Sequence, residues 1–291
     1  MVVVEVDKIL LVNKEKDYTS RDVVNALSNI FHTKKIGHFG TLDPLATGLL
    51  VIGIGKYTKL GNLFPEDTKS YEAEVLVGRS TDSYDILGKT IDCISVYSLD
   101  ENLLIDVLNS FKGEYLQEVP IYSAVKVNGK KLYEYAREGI SIELPKKKVN
   151  IIDIEFLNTY KRDNNLYFSF KCDVSKGTYI RSLINDISSK IEIPLCMSNL
   201  KRTRQDKFYL KDAYSIDDIK NGNYKLLDIT NVLDIDVLEV PNDIKNKVVN
   251  GSLIDYENDK PILFRIDDKN IALYIIYEKN TKQMKPFIMY S

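Results

Sequence analysis

Residues 40–48 read GTLDPLATG, and Asp43 is the only charged residue among them. Asp before Pro is a common way to begin a turn, which accounts for most Asp-Pro pairs without any function. The flanking residues here are small or apolar, so we expect the loop to be held against the core. A carboxylate there is costly unless it is paired or hydrogen-bonded, or is kept for a function. A buried carboxylate in fixed geometry can serve as a nucleophile or as an acid–base group. We therefore predict Asp43 to be the central reactive group.

A second unusual stretch is SKGTYIR at residues 175–181, where a strand pattern gives way to a helix pattern. Tyr179 and Arg181 are two residues apart, so they lie on the same side only where the backbone is extended. An arginine brought to Asp43 would keep that carboxylate ionised, and a buried pair of this kind would be costly to break. Sequence separation alone does not establish the pairing.

Hydrophobic periodicity along the rest of the chain predicts an α+β mixture of helices and strands. Strand patterns occur at residues 8–13, 69–79, 89–97, 149–160 and 165–175, and helical patterns at 20–31, 99–112 and 178–191. We expect 89–97 to pair with 69–79, and we expect Thr19 with Asp22 and Ser98 with Glu101 to form capping boxes. The tail at 232–291 has the pattern of a short helix, a glycine turn and three strands.

The composition excludes several classes of function. The chain has 291 residues, a formal net charge of −2, three cysteines and two histidines. Scattered cysteines indicate a reduced, cytoplasmic protein, and so few Cys and His residues argue against a zinc site. No run of about 18 apolar residues and no signal-peptide pattern is present, so we predict neither a membrane span nor secretion. Basic residues gather at 34–35, 126–131, 146–148 and 201–204, a distribution that suits either a phosphate backbone or a solvated surface.

The segment GIGK at residues 53–56 invites a nucleotide-binding interpretation. A P-loop needs glycine five residues before the Gly-Lys pair and Ser or Thr after it, whereas this chain has Leu50 and Tyr57 there. The dinucleotide fingerprint also fails, because Thr58 stands in place of its third glycine. No Gly-x-Ser-x-Gly elbow occurs. A nucleotide-dependent enzyme is kept as the weaker alternative, and a serine hydrolase is disfavoured.

Residues 120–148 mix aromatic rings with cations and show little regular patterning. Tyr122 and Tyr133 stand among lysines that include Lys126 and Lys131. Rings interleaved with cations suit stacking on bases and contacts to phosphates. A solvated surface loop with ordinary packing tyrosines explains the same pattern equally well.

Several of these stretches together resemble the TruB family of tRNA pseudouridine-55 synthases. The matching segments run in the family's order: 8–14, 37–48 (GHFGTLDPLATG), 69–71, 78–82, 122–126 (YSAVK), 131–137 (KLYEYAR), 176–182 (KGTYIRS) and 200–203 (LKRT). The resemblance implies the pseudouridine synthase fold, a mixed and largely antiparallel sheet flanked by helices, in a catalytic domain at 1–230. It also implies a small, mostly-β, PUA-like C-terminal domain at 232–291.

The resemblance implies roles for individual residues. Asp43 resembles the nucleophile that detaches uracil from its ribose, and Arg181 resembles its paired cation. Tyr71 resembles the ring that stacks on the flipped-out uracil, since an enzyme acting on a stacked base must extrude it. Leu200 resembles the apolar wall of the uracil pocket, and Tyr179 resembles a tyrosine that handles protons or closes the pocket.

The resemblance further implies how RNA is recognised. His38 resembles a histidine that inserts into the RNA loop, although a lone histidine is equally well explained as structural. The segment 120–148, with Lys126 and Lys131, resembles the insertion with which stand-alone bacterial enzymes grip the T-arm of tRNA.

The activity implied is isomerisation of uridine 55 in the T-arm of tRNA. No metal or cofactor is implied, and a rearrangement without net redox change or energy input needs no cofactor. The insertion at 120–148 implies direct recognition of the T-arm without a guide RNA, and we predict no obligate protein partner. Whether Asp43 attacks C6 of the base or acts at the sugar stays open. A binding module that opens and refolds tRNA without chemistry is the alternative from another class.

Overall fold

The computed structural model describes residues 6–64 and 68–290, so residues 1–5, 65–67 and 291 of the two predicted domains lie outside the described part. Its strands are β1 Lys8–Lys14, β2 Ile36–His38, β3 Thr47–Ile54, β4 Lys69–Val77, β5 Arg79–Thr81, β6 Thr90–Cys93, β7 Gly113–Glu118, β8 Lys126–Val127, β9 Lys130–Lys131, β10 Lys146–Arg162, β11 Asn165–Val174, β12 Leu195–Gln205, β13 Phe208–Tyr209, β14 Asp236–Glu239, β15 Ile254–Asp255, β16 Ile262–Ile266, β17 Lys269–Ile276 and β18 Gln283–Met289. Its α-helices are α1 Ser20–Ile30, α2 Glu101–Asn109, α3 Leu132–Arg137, α4 Ile180–Ile191, α5 Ile216–Lys220, α6 Ile229–Val232 and α7 Lys245–Val249, and two 3₁₀ helices cover Gly55–Asn62 and Leu210–Asp212. Within the described ranges, none of the helices is long and apolar enough to span a membrane.

The main sheet is mixed and largely antiparallel, as predicted. Its strands follow the order β1-β3-β12-β4-β11-β10-β7, with β2 added on β3 and β13 on β12. Strand β12 runs parallel to β3 but antiparallel to β4, and β4, β11, β10 and β7 are antiparallel in turn. The predicted α+β class, with a mixed and largely antiparallel sheet, is confirmed.

One face of this sheet is covered by helices. Strand β4 alternates, with Tyr71 and Val75 buried, as the period of two predicts. Helix α4 buries Leu183 and Ile187 in the same core cluster, and α2 adds Leu104. The apolar faces of both helices therefore pack against the sheet.

Local predictions held for most elements but were wrong at two places. The predicted capping box of α1 is present at Thr19 and Asp22, whereas α2 is capped by Asp100 and not by Ser98. The Asp100 carboxylate accepts the N–H groups of residues 102 and 103 at 2.9 and 3.2 Å, so the helix begins later than the pattern suggested. Strand β6 pairs with the short β5 and not along β4, because β11 and β12 already occupy both edges of β4.

The chain divides into two compact units. The larger contains Leu11–Ile52 and Phe64–Tyr224; the smaller contains Gly53–Leu63 and the described residues of Met1–Leu10 and Lys225–Ser291. In the tail, the three predicted strands appear as β16, β17 and β18 in a five-stranded sheet ordered β14-β16-β17-β18-β15. The assignment of 1–230 as catalytic and 232–291 as PUA-like stays a prediction.

Candidate active site

Asp43 lies in a tight turn between β2 and β3, within the larger unit. The carbonyl of Asp43 accepts the N–H of Ala46 at 3.0 Å, so the Asp-Pro pair does begin a turn. The neighbouring Leu42, Leu45 and Ala46 are buried. The predicted turn is therefore present and its neighbouring residues contact the core, whereas the Asp43 carboxylate itself is partly exposed and not buried.

Helix α1 and the segment before it hold this turn in place. The Ser20 hydroxyl accepts the N–H of Leu42 at 2.9 Å and donates to its carbonyl at 3.2 Å. The carbonyl of Pro44 accepts the N–H of Asp17 at 2.9 Å. Residues on both sides of Asp43 are thus tied to the start of α1.

Lys14 is a fully buried cation behind the same turn. Its ammonium donates to the carbonyls of Glu15 at 2.9 Å, Tyr18 at 2.5 Å and Pro44 at 3.3 Å. Burial lowers the pKa of Lys14 to about 8, and the negative charge of Asp43 works in the opposite direction.

Arg202 supports the turn from β12 and is also fully buried. Its Nε donates to the carbonyl of Leu49 at 2.7 Å, and its terminal nitrogens reach the carbonyls of Thr41 at 3.5 Å and Gly40 at 3.4 Å. Gly48 permits the close approach of the β3 and β12 backbones at this point, because a Cβ at residue 48 would lie 2.3 Å from the Arg202 carbonyl oxygen.

The structure brings Arg181 to Asp43. Arg181 Nε lies 2.9 Å from Asp43 Oδ2, and the exposed fraction is 6% for the Arg181 side chain and 37% for that of Asp43. The other two guanidinium nitrogens donate to the carbonyls of Ser83 and Tyr122, each at 3.1 Å. The guanidinium is thus fixed in orientation, and the carboxylate keeps one side open.

That open side faces a cavity of about 360 Å³. Its lining includes Asp43, Arg181 and Tyr122, together with Asp82 and Asp85 from the loop between β5 and β6. The volume falls in the range of about 300–1,000 Å³ that small-molecule sites occupy.

Tyr71 and Leu200 lie beside the turn on neighbouring strands. Tyr71 of β4 is paired in register with Arg202 of β12, and Leu200 with Ala73. Both predicted substrate-binding residues are buried in one cluster with Leu42 of the Asp43 turn. Burial raises the pKa of the Tyr71 phenol, and the neighbouring Arg202 guanidinium opposes that rise.

Tyr179 is half-buried at the N-cap of α4. Its backbone is extended, with φ −102° and ψ 113°, and Arg181 follows in the first turn of the helix. Burial raises the pKa of the Tyr179 phenol, and the nearby Ser123 hydroxyl and the charge of Arg181 oppose the rise. Only Tyr179 is extended, because Ile180 and Arg181 already belong to α4, so the extended backbone that would place both side chains on one side is not present through this stretch.

Of the predicted site residues, only Asp43 and Arg181 line the cavity; Tyr71, Leu200 and Tyr179 lie outside its lining, and so do His38, Lys126 and Lys131. His38 ends β2, and its Nδ1 is buried without a hydrogen-bond partner among the described residues. Burial lowers the pKa of His38. Lys126 is exposed in the β8–β9 hairpin, and Lys131 in the same hairpin donates to the Tyr133 hydroxyl at 3.3 Å.

The GIGK segment is explained in structural terms. It lies in the smaller unit, where Gly55 begins a 3₁₀ helix with a φ of 65°. The carboxylate of Asp7 accepts the N–H of Lys56 at 2.6 Å. A phosphate bound by a glycine-rich loop would need such N–H groups, so Asp7 competes with any nucleotide at this turn.

A protein-family comparison identifies the family to which the chain belongs. The family described as TruB family pseudouridylate synthase (N terminal domain) matches residues 28–180, which include Asp43, Tyr71 and Tyr179. The chain belongs to the TruB family. Pseudouridylate synthases are isomerases, so the chain is an enzyme of that class.

Relatives in the TruB family match the chain over most of its length. The tRNA pseudouridine synthase B of Lactobacillus acidophilus is 40% identical over 97% of each chain. That of Caldanaerobacter subterraneus is 40% identical over 86% of each, and that of Staphylococcus aureus strain Newman is 39% identical over 96% of this chain and 97% of its own.

Solved structures show the same fold. A Cbf5-Nop10-Gar1 complex aligns with a TM-score of 0.66 at 21% identity, covering 92% of this chain and 77% of the other. The Nop10-Cbf5 complex of an archaeal box H/ACA sRNP aligns with a TM-score of 0.64 at 17% identity, covering 97% and 86%.

Two supporting residues of this TruB site were missed by the sequence reasoning. Lys14 and Arg202 lie inside matching segments, but no role was assigned to them. Arg202 occupies the same strand face as Leu200, so its position in the alternation of β12 marked it as a buried charge. A cation at a buried position of the strand pattern was therefore the signal that could have identified Arg202, because buried cations occur only where they have partners.

Proposed function

We propose that this protein converts uridine 55 in the T-arm of tRNA to pseudouridine, with Asp43 as the nucleophile. The observation that carries the proposal is the Asp43–Arg181 pair, at 2.9 Å, with one side of the carboxylate open to a cavity. Relatives covering nearly the whole chain are named tRNA pseudouridine synthase B, which supports tRNA as the substrate.

The pair suits the chemistry because a nucleophilic carboxylate must be ionised and fixed. A guanidinium beside Asp43 favours its charged form and holds one oxygen in place. In the reaction the bond between C1′ and N1 of uracil breaks, a bond between C1′ and C5 forms, N1 gains a proton and C5 loses one. Asp43 acts either at C6 of the base or at C1′ of the sugar, and both routes use the same open oxygen.

The target base must leave the RNA stack to reach Asp43. We propose that Tyr71 stacks on the flipped uracil and that Leu200 forms the apolar wall of its pocket. Their shared cluster with Leu42 of the Asp43 turn supports both roles. Tyr179 either handles a proton or closes the pocket; because burial raises its pKa, it enters the reaction as a neutral phenol.

Recognition of the T-arm is assigned to His38 and to the segment 120–148 with Lys126 and Lys131. Lys126 is exposed and His38 and Lys131 are partly exposed, which supports a role in contacting the RNA around the flipped base. We propose that they act without a guide RNA or obligate protein partner, in the cytoplasm. The tail at 232–291 is proposed as a PUA-like domain that adds RNA contacts.

The test is tritium release from a tRNA transcript that carries 5-tritiated uridine. The wild type is compared with Asp43→Asn, in EDTA and without added nucleotide. Asp163→Asn is the matched control, because Asp163 lies in an exposed turn with φ 50°, which Asn tolerates well. We expect the wild type and D163N to release tritium and D43N to release none.

Each other result has a definite meaning. Equal release from D43N would show that the nucleophile is another residue. Release only with added metal or nucleotide would overturn the cofactor-free proposal. Silence from all three proteins on a transcript that binds would leave the tRNA-refolding module as the better description.

We also propose a tRNA-refolding role alongside catalysis, supported by the separation of the RNA-contacting cations from the Asp43 cavity. The cations assigned to RNA contact, Lys126 and Lys131, are not in the lining of the Asp43 cavity. We therefore propose that RNA binding and chemistry use different side chains. The D43N protein should still accelerate refolding of an unmodified tRNA, and loss of that acceleration would remove the second role.

A further inference from the structure

A fully satisfied side-chain amide is buried beside the active-site helix. Gln117 lies on β7, the last strand of the main sheet, and is only 1% exposed. Its Oε1 accepts the N–H of Tyr179 at 2.8 Å, and its Nε2 donates to the carbonyl of the same residue at 3.1 Å. One side chain thus binds both polar groups of one backbone residue.

A second chain of hydrogen bonds fixes the orientation of this amide. Gln117 Nε2 also donates to the Tyr115 hydroxyl at 2.6 Å, and that hydroxyl donates to Asp186 Oδ2 at 3.3 Å. An ionised carboxylate accepts only, so the hydroxyl proton points to Asp186 and the Tyr115 oxygen accepts from Gln117. If the Gln117 amide were reversed, its NH₂ group would face the N–H of Tyr179, and two donors cannot form a hydrogen bond. Only the observed orientation therefore satisfies the N–H and carbonyl of Tyr179 and the Tyr115 hydroxyl.

The residue held by Gln117 decides where α4 begins. Tyr179 is the N-cap of that helix, yet its side chain makes no capping hydrogen bond. Its carbonyl accepts the first helical N–H, from Leu183 at 3.0 Å, and also the Gln117 amide. The position of this one backbone unit therefore sets the first turn, from which Arg181 reaches Asp43.

We propose that Gln117 is a positioning residue of the isomerisation: by holding the backbone of Tyr179, it places the Tyr179 ring and the Arg181 guanidinium around Asp43. This inference rests on the proposed function. Gln117 is 1% exposed and its hydrogen bonds go to Tyr115 and to the backbone of Tyr179, so it acts through Tyr179 and not on the substrate.

The experiment compares Gln117→Met with Ser182→Ala. Methionine keeps the length of the side chain and removes every hydrogen bond. Ser182 is the matched control, because it is also buried and joins the same strand to the same helix, with its hydroxyl donating to the carbonyl of Glu118 at 2.7 Å. It does not touch the Tyr179 backbone groups.

The measurements are the single-turnover rate of pseudouridine formation, the Kd for tRNA and the thermal unfolding midpoint. We expect Q117M to lower the rate about 10- to 100-fold, as small displacements of reacting groups do, with the Kd unchanged. S182A should lower the unfolding midpoint comparably and leave the rate within about twofold of wild type.

The outcomes separate this inference from the proposed function. If the wild type forms no pseudouridine, the proposed function fails whatever the variants do. If the wild type is active, a folded Q117M at the wild-type rate overturns the inference, and so does an equal decrease of rate in S182A. Should Q117M not fold, Gln117→Asn replaces it, because asparagine keeps the amide but is one methylene too short to bind both backbone groups of Tyr179; an undiminished rate in Q117N likewise overturns the inference.

Discussion

The Asp43 carboxylate and the Arg181 guanidinium lie at contact distance, 2.9 Å between Asp43 Oδ2 and Arg181 Nε. Arg181 is buried and Asp43 is partly exposed, so removing the Asp43 carboxylate would leave the buried guanidinium without its counter-ion. Arg181 makes three separate contacts, to Asp43 Oδ2 and to the carbonyls of Ser83 and Tyr122. Its planar group is therefore oriented as well as charged.

This geometry predicts that charge alone does not replace Arg181. A lysine is a single ammonium and cannot reach three acceptors that diverge around a planar fork. We expect R181K to lower the single-turnover rate about 100-fold. The matched control is Arg162→Lys, which alters an exposed arginine that pairs with Glu74; wild-type activity in R181K would show that only the charge matters.

At the scale of elements, the site is made where β3, β12 and α1 enclose one turn. Strands β3 and β12 run parallel where Thr47 meets Lys201 and Gly48 meets Arg202. The close backbone approach at Gly48 lets Arg202 reach the carbonyls of residues 40, 41 and 49. A side chain at position 48 would separate the strands.

Gly48→Ala tests that close approach. Gly48 has φ +100°, and a Cβ would lie 2.3 Å from the Arg202 carbonyl oxygen. Gly222→Ala is the matched control, because Gly222 has φ +82° and open space around its Cβ. We expect the free energy of unfolding to fall further in G48A than in G222A, by at least about 1 kcal/mol, measured by denaturant titration; equal decreases would mean that backbone strain alone is responsible.

Helix α4 carries a carboxylate whose titration reports on its contact with β7. The pKa of Asp186 is raised to about 6, because burial and the nearby Glu118 raise it by more than Tyr115 and Lys190 lower it. Lys146 lies on the same small pocket. The stability associated with the protonated form is present below about pH 4 and is lost as the pH rises through about 6.

Asp186→Asn mimics the protonated state at every pH. We therefore expect the unfolding free energy of the wild type minus that of D186N to fall between about pH 4 and pH 6 and to be constant above. Denaturant titrations across this range measure the difference. A difference that rises with pH would show that Asp186 is stabilised as an anion.

At the scale of the whole molecule, basic residues are clustered in short segments of a protein whose net charge is −2. The segment 120–148 folds as a β8–β9 hairpin followed by α3, which presents Lys126 on an exposed surface. Rings and cations pair here, as Lys131 does with Tyr133, whose ring centre lies 5.3 Å from the ammonium. Nearby phosphates would compete for these cations.

Salt dependence distinguishes an RNA surface from a solvated one. Lys126→Gln with Lys131→Gln should weaken tRNA binding and reduce the slope of log K against log salt by about one for each phosphate that the protein no longer neutralises. The rate at saturating tRNA should not change. Lys220→Gln, at an exposed cation on α5, is the control, and an unchanged slope in the double variant would favour the solvated-surface interpretation.

Local patterns were sufficient for most of the elements. The alternation of β4 and β11, the capping box at Thr19 and Asp22, and the uncharged setting of Asp43 are all properties of a few consecutive residues. Hydrophobic periodicity and capping act over one or two turns, so the sequence alone determined these elements and singled out Asp43, Tyr179 and Arg181.

Only the tertiary structure decided which distant groups meet. The pairing of Arg181 with Asp43, the support of the turn by Lys14 and Arg202, and the clamp of Gln117 on Tyr179 join residues up to 162 positions apart. Strand β6 was misplaced for the same reason, because both edges of β4 are occupied by β11 and β12. Hydrogen bonds and ion pairs are short-ranged and directional, so their partners are set by the order of strands in the sheet and not by spacing along the chain.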